Sequence, residues 1–356
     1  MPQNADGTGV VWYDEEREAH RYTSTAPAWA DPGLQDLSSS TKSSLFFGHV
    51  RSASANVLGE SAAPVGDFNV HPFVHENISF MHNGAVSGFA GVRPLLEAQV
   101  NEAVAPAIQG TTDSELLFSI YLTQLDAISS KSSGGSSSNS GSSSGGSGSG
   151  RYTAPQLAAA LDRTIGVVTA TTVAAGVPHA SSLNLAVSDG ASVVVSRYRN
   201  ALAASEQPPS LYMTHGSGLR VGGGGCLHWA RPGDGGGNGG GGSVVVASEP
   251  LCENNLSSWS LVPKNTMVVV EADPLRNDRV GRLWLRPVYH GVNADEVRQR
   301  GERWARVQQR SAWASSDAAA AAAAATAPRA GLCSAAVLAQ LASNAPPSPL
   351  TATLRA

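Results

Sequence analysis

Short apolar runs punctuate this chain, and their periodicity predicts its elements. The stretches SSLFFGHVRSA (43–53) and ENISFMHNGAV (76–86) read as buried strands. In TTDSELLFSIYLTQL (111–125), Leu116, Leu117, Ile120, Tyr121 and Leu125 repeat at helical spacing, and the Thr-x-x-Ser/Glu opening can cap a helix. APQLAAALDRTI predicts a second helix over 154–165. Strands then recur in SSLNLAVSD, ASVVVSRY, SLYMTHG, GSVVVASEP, NTMVVVEA and GRLWLRPV. Helices set between two groups of strands predict an α+β layered fold.

Polar tracts separate these blocks. Residues 129–150 are almost pure Ser and Gly, and glycine dominates 222–225 and 235–242. Such segments bury too little apolar area to offset their chain entropy, so both are expected as low-complexity loop insertions. Neither has a phosphate-cradling glycine frame between a strand and a helix. The strands on one side of the Ser/Gly tract are too few to close a core, so the tract is expected to interrupt one domain. That domain is placed at 1–290, with insertions at 129–150 and 222–242. A helical segment and a disordered tail follow at 291–356, the part from about 315 onward being rich in Ala, Ser and Pro.

Composition narrows the function classes. The 356 residues are 42% apolar, enough for a sizeable core, and the net charge is -4, with no basic cluster of the kind that binds nucleic acid. Cys226, Cys252 and Cys333 lie far apart without C-x-x-C spacing, which argues against a disulfide framework or zinc site and for a reducing, cytoplasmic setting. No apolar run reaches the roughly 18 residues of a membrane span. The alanine run at 318–325 is too short and too weakly apolar to be one. The histidines show no ligand spacing such as H-E-x-x-H, so no metal is expected.

The stretch FMHNGAV (80–86) places a His, an Asn and a Gly inside an apolar run. Buried polar groups cost about 1–3 kcal/mol each when unpaired, and a glycine within a strand often marks a close approach of backbone. Three other blocks also set polar groups beside apolar runs: GHVRSAS (48–54), NVHPF (69–73) and GTTDSE (110–115). Singly, each has an ordinary explanation. Arg51 can be a surface ion pair, Asp113 a helix N-cap, and Asn83-Gly84 a hairpin turn.

In this order, however, GHVR, N-x-HPF, FMHNG and G-x-TDSE resemble the signature of the class II glutamine amidotransferases, which belong to the N-terminal-nucleophile hydrolases. NADGTGVVWY, LNLAVSDG, VVVSRY, VVVASEPL and W-x-x-VPKNTMVVVE resemble one branch of them. That branch holds the fungal amidotransferase-like subunit of glutathione breakdown and the ergothioneine-pathway γ-glutamyl hydrolase. The resemblance covers 4 to about 288, with the Ser/Gly and Gly tracts as insertions.

The resemblance implies a four-layer αββα sandwich, here lacking its first strand, and hydrolysis of glutamine or of a γ-glutamyl peptide such as glutathione. It implies that Arg51 pairs with the substrate α-carboxylate and Asp113 with its α-ammonium. The Asn83 side chain and the Gly84 N–H would serve the oxyanion. His82 has a supporting role at the substrate or is a satisfied core histidine, and His49, Asn69 and His71 are supporting or structural. No cofactor is implied, and a metallopeptidase-like partner subunit is. The family nucleophile is an N-terminal cysteine whose own amine is the base. This chain opens MPQNADGTGVVWY, already inside a family block, and none of its cysteines is terminal. Three readings stay open: a fragment of an active enzyme, a catalytically inactive γ-glutamyl-binding or regulatory subunit, and a non-enzymatic scaffold.

Overall fold

The computed structural model describes residues 4–52, 66–133, 152–201, 203, 205–217, 219–221, 227–229, 242–251, 253–273, 276–290 and 336–338. An antiparallel hairpin, β1 (Thr8–Tyr13) and β2 (Ala19–Ser24), leads through α1 (Pro32–Ser40) to β3 (Phe46–Val50). Then come β4 (Phe73–His75), β5 (Ile78–Ala85) and the helices α2 (Phe89–Glu97), α3 (Asp113–Ser133) and α4 (Ala154–Ala174). Next are β6 (Ser182–Ser188), β7 (Ser192–Arg197), β8 (Tyr212–Ser217), β9 (Leu219–Val221), β10 (Leu227–Trp229) and β11 (Gly242–Ala247). The last strands are β12 (Ser260–Leu261), β13 (Thr266–Asp273), β14 (Arg276–Pro287) and β15 (Ala336–Leu338).

Side chains along a strand point alternately to its two faces, and here that alternation builds the layers. In β5, β6, β7 and β13, Phe80, Leu185, Val187, Val194, Met267 and Val269 join a core with α2, α3 and α4. The intervening Met81, Ala186, Val193, Val195, Val268 and Val270 face the other way, into a second core with Val11, Phe47, Met213, Val244 and Val246 of β1, β3, β8 and β11. A helical layer therefore covers one sheet, and that sheet packs face to face on another. The long β14 pairs with β13 of the first sheet and touches β11 of the second, so one hydrogen-bonded path runs through both.

α1 supplies a short fourth layer. Tyr22 lies opposite Val10 and so on the outer face of the β1–β2 hairpin. Its hydroxyl donates to Asp31 Oδ1 at 2.7 Å, and Asp31 caps α1 by accepting from the Leu34 N–H. The ring also lies under Gly33, where a Cβ would meet the Tyr22 hydroxyl oxygen at 2.4 Å. The order helix, sheet, sheet, helix is the αββα stack.

Three stretches differ from their sequence-based expectations. The helix expected to stop at 165 continues to Ala174. Its last turns are rich in β-branched residues, which lose rotamer freedom in a helix. Val168, Thr169 and Thr172 are nevertheless buried against the sheet, and the Thr164 and Thr172 hydroxyls donate to the Ala160 and Val168 carbonyls. Packing overrides propensity. The extended helix is long and apolar enough to cross a membrane by length and composition, although half of that stretch is buried inside the fold. Ala160, Leu161, Ile165 and Val168 belong to the helix–sheet core.

The second difference is at the Ser/Gly tract. α3 runs to Ser133, and the Ser129 and Ser130 hydroxyls donate to the Asp126 carbonyl. The rest of that tract lies outside the described residues, as do most of the 222–242 glycines, although Gly242 opens β11. The third difference is at the tail, of which only 336–338 is described. That segment forms β15, which lies between β3 and β11 and parallel to both. Cys226, Cys252 and Cys333 are all outside the described residues.

Candidate functional site

The polar residues of β5 are sorted by the strand's own alternation. Phe80 faces the helices and Met81 the second sheet. His82 therefore faces the helices and Asn83 the space between the sheets. His82 is 3% exposed and spends both ring nitrogens locally. Nε2 lies 3.1 Å from the Ser182 carbonyl oxygen, and Nδ1 lies 3.0 Å from Ser114 Oγ in the first turn of α3. A carbonyl only accepts, so Nε2 carries a proton toward it, and the single Ser114 hydroxyl proton is shared between Nδ1 and the Asp113 carboxylate.

Asn83 is half-buried, and its Nδ2 donates across the gap to Ser248 Oγ at 3.4 Å. Gly84 follows at φ 154°, and a Cβ there would lie 2.0 Å from the Ser182 carbonyl oxygen. Only glycine allows β6 to approach so closely. The strand carries His-Asn-Gly because each residue has a different neighbour: a helix start, an inter-sheet gap and a close carbonyl.

Asp113 opens α3 but does not cap it. The cap is Thr112, whose Oγ1 accepts the Glu115 N–H at 3.3 Å. Asp113 instead turns to β5: Oδ2 accepts the Val86 N–H at 2.8 Å, and Oδ1 accepts the Ser114 hydroxyl at 3.2 Å. Its carboxylate thus sits at the end of the strand that carries Asn83 and Gly84. Three residues along that strand separate Asn83 from Val86, or about 10 Å of extended chain. Through Ser114, the same helix turn also holds His82.

Arg51 follows β3 on the face of Phe47 and His49. Its backbone is pinned, with its N–H donating to the Gly7 carbonyl at 2.8 Å and its carbonyl accepting the Asp6 N–H at 3.1 Å. The side chain is buried, and Nη1 donates to the Asp6 carbonyl at 3.5 Å. Burial pulls the guanidinium pKa below its usual value, and the charge of Asp6 pushes it back up.

His49 and His71 lie beside Arg51, with ring centroids 4.4 Å apart. Burial, then the neighbouring His82 and Arg51, lower the His49 pKa to about 3. Burial, then His49, His82 and Arg51, hold His71 well below the usual histidine value. Both rings are therefore neutral at pH 7. His49 Nδ1 and both His71 nitrogens lack a hydrogen-bond partner among the described residues. Both rings lie within electrostatic reach of Arg51 and His82.

A small cavity of about 20 Å³ lies between the sheets, lined on its polar side by His49, His82, Asn83, Asn184 and Ser248. That is room for about one water-sized group. Among the described residues, no group of three or more His, Cys, Asp or Glu side chains is arranged to hold a metal ion.

Asn83, Gly84, His82 and Asp113 are thus gathered at one end of β5, while Arg51 lies past the end of β3, on the Asp6 carbonyl and near His49 and His71. The sequence reading missed Ser114, Ser182 and Ser248 as partners. Ser114 stands inside the TDSE block, where its neighbours pointed to it. Ser182 and Ser248 are ordinary serines of a strand and its flank; the β5–β6 register brings Ser182 to Gly84, and the packing of one sheet on the other brings Ser248 to Asn83.

Comparison with known proteins adds a family to this geometry. Residues 2–140 match the family described as class II glutamine amidotransferases. The probable glutamine amidotransferase DUG3 of Saccharomyces cerevisiae is 31% identical over 279 residues, which is 76% of this chain and 70% of that protein. The γ-glutamyl-hercynylcysteine sulfoxide hydrolase of Mycolicibacterium smegmatis is 32% identical over 108 residues, 30% of this chain and 44% of that one. A solved glutamine aminotransferase class-II domain protein from Silicibacter pomeroyi aligns over 78% of this chain and 90% of its own, at 24% identity and a TM-score of 0.49.

Proposed function

Because this chain belongs to the class II glutamine amidotransferases, we propose that its site binds glutamine or a γ-glutamyl peptide such as glutathione. Arg51 pairs with the α-carboxylate, for which a planar guanidinium fork is suited. Asp113 pairs with the α-ammonium. The Asn83 side chain and the Gly84 N–H receive the γ-carbonyl oxygen and the negative charge that develops on it when the amide is attacked. Donors held in place beforehand are the largest single contribution to such steps, and losing one costs about 10²–10³ in rate. His82 acts behind Asp113, by way of Ser114.

One observation supports this reading above the others: the Asp113 carboxylate is fastened to Val86, at the end of the strand that presents Asn83 and Gly84. An anion and an amide donor are thereby held about one amino acid apart. The described residues are assigned to binding and to the oxyanion, and none to nucleophilic attack. A cytoplasmic setting fits three cysteines without a disulfide spacing. A metallopeptidase-like partner subunit fits the family branch that the sequence resembles, and such a partner would take the peptide that remains when a γ-glutamyl bond is cut.

The test is calorimetric titration of L-glutamine and glutathione into the chain and into Arg51→Ala and Asp113→Ala. The proposal expects binding that each substitution weakens at least tenfold, the scale of one lost charge-assisted hydrogen bond at about 1.5–3 kcal/mol. Unchanged affinity in both variants overturns it.

A further inference from the structure

The loop that delivers Asp113 is held by more than a helix cap. Three consecutive N–H groups precede α3, from Gln109, Gly110 and Thr111, and side chains take all of them. The Glu115 carboxylate accepts those of Gln109, at 2.8 Å, and Gly110. Asn69 Oδ1 accepts that of Thr111 at 3.2 Å. The Thr111 carbonyl accepts Arg93 Nη1 at 3.0 Å. Glu115 and Asn69 are each only 6% exposed. A Cβ on Gly110 would stand 2.5 Å from Asn69 Oδ1 and 2.8 Å from Glu115 Oε2, so a side chain there would break the arrangement.

Helix capping does not account for this. Thr112 already caps α3. A Glu three residues into a helix ordinarily reaches back to the N–H of the cap residue itself. Glu115 reaches past it, to the two residues before Thr111. Arg21, whose guanidinium feels the charges of Asp67 and then Glu115, donates to the carbonyl of Val70, next to Asn69, at 2.9 Å.

We propose that Glu115 and Asn69 are positioning residues for recognition of the substrate α-ammonium. By fixing 109–111 they fix the first turn of α3, and with it the Asp113 carboxylate against Val86. The proposal rests on the reading of Asp113 given above.

The test variant is Glu115→Gln, which keeps size and helix preference but turns an amide NH₂ toward one of the two N–H groups. Its affinity is measured by calorimetry for L-glutamine and for glutaramate, which has the same γ-amide and carboxylate but no α-amino group. Thermal melting reports the fold. The proposal expects about tenfold weaker L-glutamine binding, unchanged glutaramate binding, and no further loss when Glu115→Gln is added to Asp113→Ala. Where Glu115→Gln melts early, Asn69→Ala leaves the carboxylate in place and carries the same expectation. Equal weakening for both ligands, or L-glutamine binding unchanged in a folded variant, overturns the proposal. Wild-type affinity in Asp113→Ala alone would overturn the reading of Asp113 and this proposal with it, and so separates the two failures.

Discussion

Asp113 Oδ2 accepts the Val86 N–H at 2.8 Å, which ties the first turn of α3 to the end of β5. An acidic residue at a helix start is usually a cap. Here the cap is Thr112, one residue earlier, and the carboxylate is turned toward the strand that carries His82, Asn83 and Gly84. The helix dipole and two hydrogen bonds favour a negative charge there, where the site reading places a substrate ammonium.

Gly84→Ala should be destabilising and damaging to the site. The new methyl would lie 2.0 Å from the Ser182 carbonyl oxygen, on a residue at φ 154°. Backbone strain of this kind costs roughly 1–3 kcal/mol, and relief requires β5 and β6 to part. Urea unfolding should show the loss, and L-glutamine affinity should fall with it. A variant as stable as wild type would mean that the strands do not meet this closely.

His82→Phe should cost about 0.5–1.5 kcal/mol, the net worth of the hydrogen bond that Nε2 gives the Ser182 carbonyl. It should also weaken ligand binding, since Ser114 loses the imidazole that holds it beside Asp113. Ser114→Ala should reproduce the binding loss with a smaller stability loss. Thermal melting and calorimetry separate the two effects. Equal binding by wild type and both variants would reduce His82 to a core residue.

Acid should unfold the protein through its neutral histidines. The His49 pKa falls from the usual 6.5 to about 3 in the folded chain, chiefly by burial. Above pH 6.5 neither state carries the proton. As pH falls below that value the unfolded chain takes it up and the folded chain does not, so stability declines with falling pH, down to about 3 for His49. His71 shifts in the same direction. Urea midpoints should drop between pH 7 and pH 5, and the drop should be smaller in His71→Phe. A pH-independent midpoint would show that these rings are not buried as described.

Thr112→Ala should lower stability by about 0.5–2 kcal/mol, the usual worth of an N-cap. The effect on melting should exceed that of a serine substituted at the same position. Thr112→Ser melting as low as Thr112→Ala would contradict the assignment of the cap.

Much of the fold is legible in the sequence because period carries it. β3, β5 and α3 declare themselves through Phe47, Phe80 and the Leu116-to-Leu125 stripe, all of which face a core. β2 does not, since AHRYTS has no apolar alternation and forms an edge strand without a fully buried residue. α1 is equally quiet, having no buried residue. The end of α4 reads locally as a β-branched run and becomes helical only through burial. At the site, the residue types in GHVR, HNG and TDSE were visible. The contacts between His49 and His71, or between Asn83 and Ser248, join distant parts of the chain, and only the packed fold reveals them.

The most direct measurement is a crystal structure of the chain with L-glutamate bound. The account predicts one ligand that spans the site, its α-carboxylate on Arg51, its ammonium on Asp113 and its γ-carboxylate at Asn83 and Gly84. A ligand bound elsewhere, or one that touches Asp113 while Arg51 and Asn83 stand too far away to reach it, would contradict the account.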